Sequence, residues 1–206
     1  MSEVARISQE QKRLNREKIV NAAGEGFRAR GIDGIGIDEL MKTAGMTHGG
    51  FYNHFSSKED LALEVLHQGF TDSLNELAAI REAHPHSAEA ALRDLIDGYL
   101  ATLHRDHPEA GCASAALVTD AGRHGIAAQA EYHRGLDGYF AAITEVLLER
   151  AHQAGTELDP EVARERAIAS FSQMVGAMAL SRAIAQAAPG LSDEILTANR
   201  SQLTQQ

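Results

Sequence analysis

From Ala167 to Ala188 the only charged side chain is Arg182. A helix this apolar all round is buried on more than one side, so it needs a body of several helices around it. The rest of the chain supplies them. Ile19, Ala22, Ala23, Gly26 and Phe27 follow the i, i+3, i+4, i+7 spacing of one buried helix face. The same period returns in Leu61, Ala62, Val65, Leu66, Gly69, Phe70, Leu74 and Leu77, and again in Leu92, Leu95, Ile96, Tyr99 and Leu103. No stretch alternates with a strand period. The pattern predicts an all-α chain: a three-helix N-terminal head, then a body of roughly six longer helices.

Punctuation places the elements. Gly31 and Gly34 stop the first helix, and a short second one over Ile37, Leu40, Met41 and Ala44 ends at Gly45. A third runs from Thr47 to about Phe55. Ser56-Ser57-Lys58-Glu59 reads as a capping box, with Ser56 at the cap, opening a long helix that His84-Pro85-His86 breaks. Ser87 caps the next. Pro108, Gly111, Gly122 and Gly125 mark a loop, a short helix and a second loop, after which a long helix covers Ile126 to about Gln153. Asp159-Pro160-Glu161 starts a helix that should reach Ala188 and stop at Pro189-Gly190. The last helix should open at Ser192, with Leu191 stapled onto Leu196. A division into residues 1–57 and 58–206 follows.

Charge is distributed unevenly over the 206 residues, whose formal total is −10. Residues 1–60 hold nine basic and nine acidic side chains; the remainder holds ten arginines and twenty acids. Only the first segment tolerates a polyanion, because the acidic remainder repels phosphate. The hydrophobic content of 44% allows a packed core. One cysteine, Cys112, rules out an internal disulfide and suits a reducing compartment. With a polar N-terminus and no long apolar run, a cytoplasmic chain without membrane contact is expected.

The segment Ile37–Phe55 carries the chemistry. Two short helices flank Gly45-Met46, the turn length of a helix-turn-helix. Thr47 is placed to cap the second helix, while Met46, Phe51 and Phe55 pack it inward. Its outer side then shows Thr47, His48, Gly50, Asn53 and His54, short or polar residues able to reach base edges in the major groove. Glycines at 49 and 50 cost about 1 kcal/mol each in a helix, a cost that close backbone approach to DNA would explain. Tyr52 and Lys58 suit phosphate oxygens. On pattern alone, a plain packed helical hairpin is the competing reading.

The run Ile37-Asp38-Glu39-Leu40-Met41-Lys42-Thr43-Ala44-Gly45-Met46-Thr47-His48-Gly49-Gly50-Phe51-Tyr52-Asn53-His54-Phe55, continuing through Ser56-Ser57-Lys58-Glu59-Asp60-Leu61, closely resembles the helix-turn-helix of the TetR family of repressors. Shared features are the Ala-Gly turn, the Tyr-x-x-Phe ending the recognition helix, and the Lys-Glu-x-Leu that follows. The resemblance is strong over about residues 15–65. It implies phosphate contacts from Tyr52 and Lys58 and base contacts from Thr47, His48, Gly49, Gly50, Asn53 and His54 on double-stranded operator DNA. It also implies a homodimer paired through about Asp159–Ala188 and Ser192–Gln202, and a small-molecule effector. Gly36 departs from the Ser/Thr that usually caps the second helix, and Gly50 lacks a side chain for base contact.

In the body, Ala177, Met178, Ala179, Ala183 and Ala187 are read as a small-residue surface for the partner copy. Tyr99, Cys112, Tyr132, Phe171, Met174 and Met178 are the candidate effector-pocket residues, with Tyr139, Phe140 and Gln173 nearby in the pattern. Cys112 opens a short helix close to His104, Arg105 and His107, which makes a thiol sensor of electrophiles or oxidants a second reading. The histidines show no metal-ligand spacing, so neither a metal nor a cofactor is expected. The competing class is a helical-bundle enzyme or ligand-binding protein with an incidental helix pair; no nucleophile, base and orienting group form a recognisable set, so no enzyme is expected.

Overall fold

A computed structural model describes residues 3–205. It is all-α, with eleven helices among the described residues. The head comprises α1 (Glu3–Arg30), α2 (Ile37–Thr43) and α3 (His48–Phe51). The body follows with α4 (Lys58–Ala83), α5 (Ala88–Tyr99), α6 (Thr102–Asp106), a 3-10 turn at Pro108–Ala110, α7 (Ala113–Ala116), α8 (Val118–Arg123), α9 (Gly125–Gln153), α10 (Pro160–Ile184) and α11 (Pro189–Leu203). The short helices α6 to α8 replace the expected loop, short helix and loop.

Head and body share one continuous core. Phe27, Leu40, Met41, Phe51 and Phe55 close the head, all almost wholly buried. Each contributes about 1.5–3 kcal/mol by leaving water. In the body α9 packs on both α4 and α10, and α10 packs along α11. Phe70 of α4 meets Tyr132 edge-on at 5.2 Å, and Tyr139 stacks on Phe171 at 4.4 Å. The α4–α9 approach depends on Gly135, where an added Cβ would lie 2.1 Å from the Phe70 ring.

Several local expectations shift. The cap of α4 is Ser57, whose hydroxyl accepts from the Asp60 amide at 3.1 Å, while Ser56 bonds the Asp60 carboxylate. The box therefore sits one residue later, because Asp60 reaches back where Glu59 was expected to. Helix α10 ends at Ile184, and α11 begins at Pro189, with proline in the first turn where its missing N–H is harmless. Leu191 stays 53% exposed, so it makes no staple. By composition α10 is long and apolar enough to cross a membrane. Here it is a core helix held against α9 and α11.

Candidate DNA-reading head and effector cleft

The turn between α2 and α3 is built from the backbone. Gly45 adopts φ +73°, a left-handed conformation that favours glycine, and the Met46 amide returns to the Met41 carbonyl at 2.8 Å. Thr47 takes the extended cap position, but its side chain makes no capping bond; its carbonyl accepts from the Gly50 amide at 3.0 Å. Gly36, the cap of α2, likewise offers no side-chain bond. Helix α3 is only His48–Phe51, and Asn53 to Phe55 continue it as hydrogen-bonded turns. Phe51 and Phe55 anchor it, their rings stacked at 5.6 Å, with the Arg16 guanidinium 4.0 Å over Phe55.

That anchoring turns the other side outward. Thr47, His48, Gly49, Tyr52 and Asn53 are exposed, and Tyr52 keeps 60% of its surface in solvent. His48 contacts the Asp38 carboxylate at 2.5 Å and lies edge-on to Tyr52 at 5.9 Å. A Cβ at Gly49 would meet nothing within 4 Å, and one at Gly50 would touch only Met41 and Thr47 at ordinary contact distance. Neither has a positive φ. Nothing inside the described chain requires these glycines. His54 differs from its neighbours: it is half-buried, its Nδ1 finds no partner, and burial followed by the nearby Lys12 and Arg16 charges pushes its pKa down. Lys58 is half-buried with its ammonium 5.9 Å from the Phe27 ring.

In the body, a cleft of about 350 Å³ opens between α4, α5, α9 and the α6–α7 segment. Leu77, Ile80, Leu95, Leu103, Tyr99 and Tyr139 form its apolar walls. Cys112 stands on the wall, half-buried, with its sulfur 3.0 Å from Ser114 Oγ, 3.5 Å from Ser73 Oγ and 3.6 Å from Tyr139 Oη. His104 holds the segment in place. Its Nδ1 lies 2.7 Å from the Tyr99 carbonyl, and its Nε2 accepts from the Cys112 amide at 3.1 Å. These partners select the neutral tautomer, and burial lowers the ring's pKa. Burial also raises the pKa of Tyr99, Tyr132 and Tyr139, which remain protonated donors.

Of the six candidate pocket residues, Tyr99 and Cys112 line the cleft. Tyr132, Phe171, Met174 and Met178 lie in the core instead: Phe171 is taken up in the stack with Tyr139, and Tyr132 donates to the Ser114 carbonyl at 2.7 Å. Leu77 and Leu95 are legible in the sequence only as helix-face positions, and nothing in the pattern singles out Ser73 or Ile80. Ala177 and Met178 are also buried within the chain, so the small-residue surface retains Ala179 and Ala183 of α10 and Ala187 in the turn that follows it.

Two ties join the chain between α6 and α8 to the head. Arg28 Nε donates to the Glu109 carbonyl at 2.8 Å, and the Ile32 amide donates to the Asp120 carboxylate, also at 2.8 Å. Arg182 holds the same segment from the other side by donating to the carbonyls of His104 and Arg105.

The described residues thus form a helix-turn-helix head on a helical body with its own cleft. Residues 19–65 match the family model for bacterial regulatory proteins of the tetR family, so this head is similar to the head of that family. The chain is 34% identical over 76 residues to the HTH-type transcriptional regulator LmrA of Bacillus subtilis, a match covering 36% of this chain and 40% of LmrA. Less than half the length of such relatives is therefore matched in sequence. The fold extends further. The crystal structure of the reduced form of Escherichia coli NemR superposes with TM-score 0.74 at 19% identity, covering 92% of this chain and 95% of that one. A FadR structure from Bacillus subtilis in complex with stearoyl-CoA gives TM-score 0.64 at 20% identity, covering 90% and 97%.

Proposed function

We propose that this chain is a dimeric transcriptional repressor that holds a palindromic operator through two copies of α3 and releases it when a small effector fills the body cleft. One observation carries the reading: α3 exposes Thr47, His48, Tyr52 and Asn53 beside two glycines that no internal packing requires. Tyr52 and Lys58 take phosphates, His48 and Asn53 take base edges, and Gly49-Gly50 let the backbone come close. His54, half-buried, contributes less than its exposed neighbours.

The head is assigned to residues 1–57 and the effector and dimer body to 58–206, in a cytoplasmic, non-catalytic protein. Dimerisation is supported by α10 and α11, which leave Val162, Ile168, Leu180 and Leu191 partly or largely exposed beside Ala183 and Ala187. An isologous pair would cover them. Small-molecule control is supported by the cleft and by the stearoyl-CoA held by FadR. A gel shift of the full chain on DNA flanking its own coding sequence tests the reading; absence of any sequence-specific complex overturns it.

A second reading rests on Cys112. Its sulfur lies on the cleft wall, within reach of Ser73, Ser114 and Tyr139, so an electrophilic effector entering the cleft would meet it. The sulfur would add to the β-carbon of an activated alkene, and the thiol proton would end on the α-carbon. Normal operator release by Cys112→Ser in the presence of such an alkene would eliminate this route.

A further inference from the structure

Resting on the reading of the cleft as the effector site, we infer that its ligand is an amphipathic organic cation rather than a carboxylate, phosphate ester or other anion. The charged groups on the lining decide this. Glu76 of α4 and Asp94 of α5 stand exposed on it, and no lysine or arginine lines it. Its two imidazoles do not offset them. His104 is held neutral between the Tyr99 carbonyl and the Cys112 amide, and His107 is already paired with Glu109 at 3.0 Å. Asp94 has one partner, His84 at 3.1 Å, and among the described residues Glu76 has no ion-pair partner. The surrounding body is acidic as well, with twenty carboxylates against ten arginines beyond residue 60. An anion entering this space would face two carboxylates at the rim, while Arg182 and Arg28 stand behind the lining segment and donate to the carbonyls of His104, Arg105 and Glu109; an ammonium would meet both rim carboxylates favourably.

The remaining lining describes the rest of the molecule. Leu77, Ile80, Leu95 and Tyr99 provide an apolar bed, and the hydroxyls of Ser73 and Tyr139 beside Cys112 provide a polar patch on it. About 350 Å³ accommodates a compact body, either one aromatic ring or a short aliphatic chain, with the charge near the acidic rim.

Three near-isosteric probes test this on the full-length protein by calorimetry: 4-phenylbutylamine, 4-phenylbutanol and 4-phenylbutyrate. The amine should bind at least about tenfold more tightly than the butyrate, with the alcohol between them. In the Glu76→Gln, Asp94→Asn double variant, whose changes lie at exposed positions, this spread should shrink to about threefold or less. Gly98→Phe should abolish binding of all three, because a Cβ there meets nothing within 4 Å and the added ring would occupy the cleft. If the alcohol binds but the amine is no tighter than the butyrate, the charge assignment is wrong and the cleft reading stands. If none of the three binds, or Gly98→Phe binds them unchanged, the cleft itself is the wrong site.

Discussion

The backbone amide of Ile32, just beyond α1, donates to the carboxylate of Asp120 in α8 across 2.8 Å. With the Arg28 bond to the Glu109 carbonyl, it ties the helix that supports α2 and α3 to the chain between α6 and α8, whose first part, up to Cys112, lines the cleft. These two bonds are a polar route by which a shift of the segment from α6 to α8 would reach the head. Asp120→Ala should lower stability by about 1 kcal/mol, through loss of one charge-assisted bond at a half-buried site. It should also leave effector binding intact while weakening effector-induced DNA release. Calorimetry and a gel shift on the same preparation measure the two separately. Equal loss of both would mean that the bond merely supports the fold.

Gly49 separates stability from function. Its Cβ position is open and its φ is not positive, so Gly49→Ala should stabilise the chain by about 0.5–1 kcal/mol through the higher helix propensity of alanine. The same methyl would stand between the backbone and the DNA, and operator affinity should fall at least about fivefold, near 1 kcal/mol. Urea denaturation and a binding isotherm check the two effects. Unchanged affinity would detach this glycine from DNA approach.

Tyr52 and Lys58 should act without regard to sequence. Lys58→Ala should reduce the slope of log K against log salt by about 1 for operator and non-operator fragments alike. Tyr52→Phe, which removes only a hydroxyl from a side chain 60% exposed, should weaken both by a similar small factor. Asn53→Ala should instead lower the ratio between them by about 1–3 kcal/mol if its amide reads a base.

Stability should fall on mild acidification. His104 is held neutral and its pKa is pushed below the ordinary 6.5, chiefly by burial, and that of His54 is lowered in the same direction. Below pH 6.5 the unfolded chain then binds more protons than the folded one, so stability drops as pH falls through 6.5 toward the folded values. Denaturation at about pH 7.5 and about pH 5.5 should show this loss, and His104→Asn should remove the part due to His104. A flat profile in the unsubstituted chain would show that the imidazole is free to ionise.

The helical periods and glycine stops of the sequence already contain the all-α plan, the head, and the buried faces of α4, α5 and α10. Local signals of this kind survive in the fold because they depend on neighbours along one helix. Details that depend on competition between adjacent residues shifted by a turn or less: Ser57 rather than Ser56 caps α4, and Pro189 rather than Ser192 opens α11. The cleft was least legible. Which of Tyr99, Tyr132 and Phe171 faces empty space depends on how α4, α5 and α9 cross, and the near contact of Phe70 with Gly135 that sets this crossing joins residues far apart in the chain. The outward face of α3 was legible apart from His54, whose partial burial comes from α1 side chains that no local pattern reveals.

The central claim is that α3 reads operator DNA. It is tested most directly by equilibrium binding of the full chain to the DNA flanking its own coding sequence and to a scrambled fragment of equal length, between about 50 and 200 mM salt. The account predicts a complex on the flanking DNA that resists scrambled competitor, loses affinity steeply with salt, and weakens when Asn53 or Gly49 is replaced. Equal affinity for both fragments, or binding indifferent to those two substitutions, would contradict it.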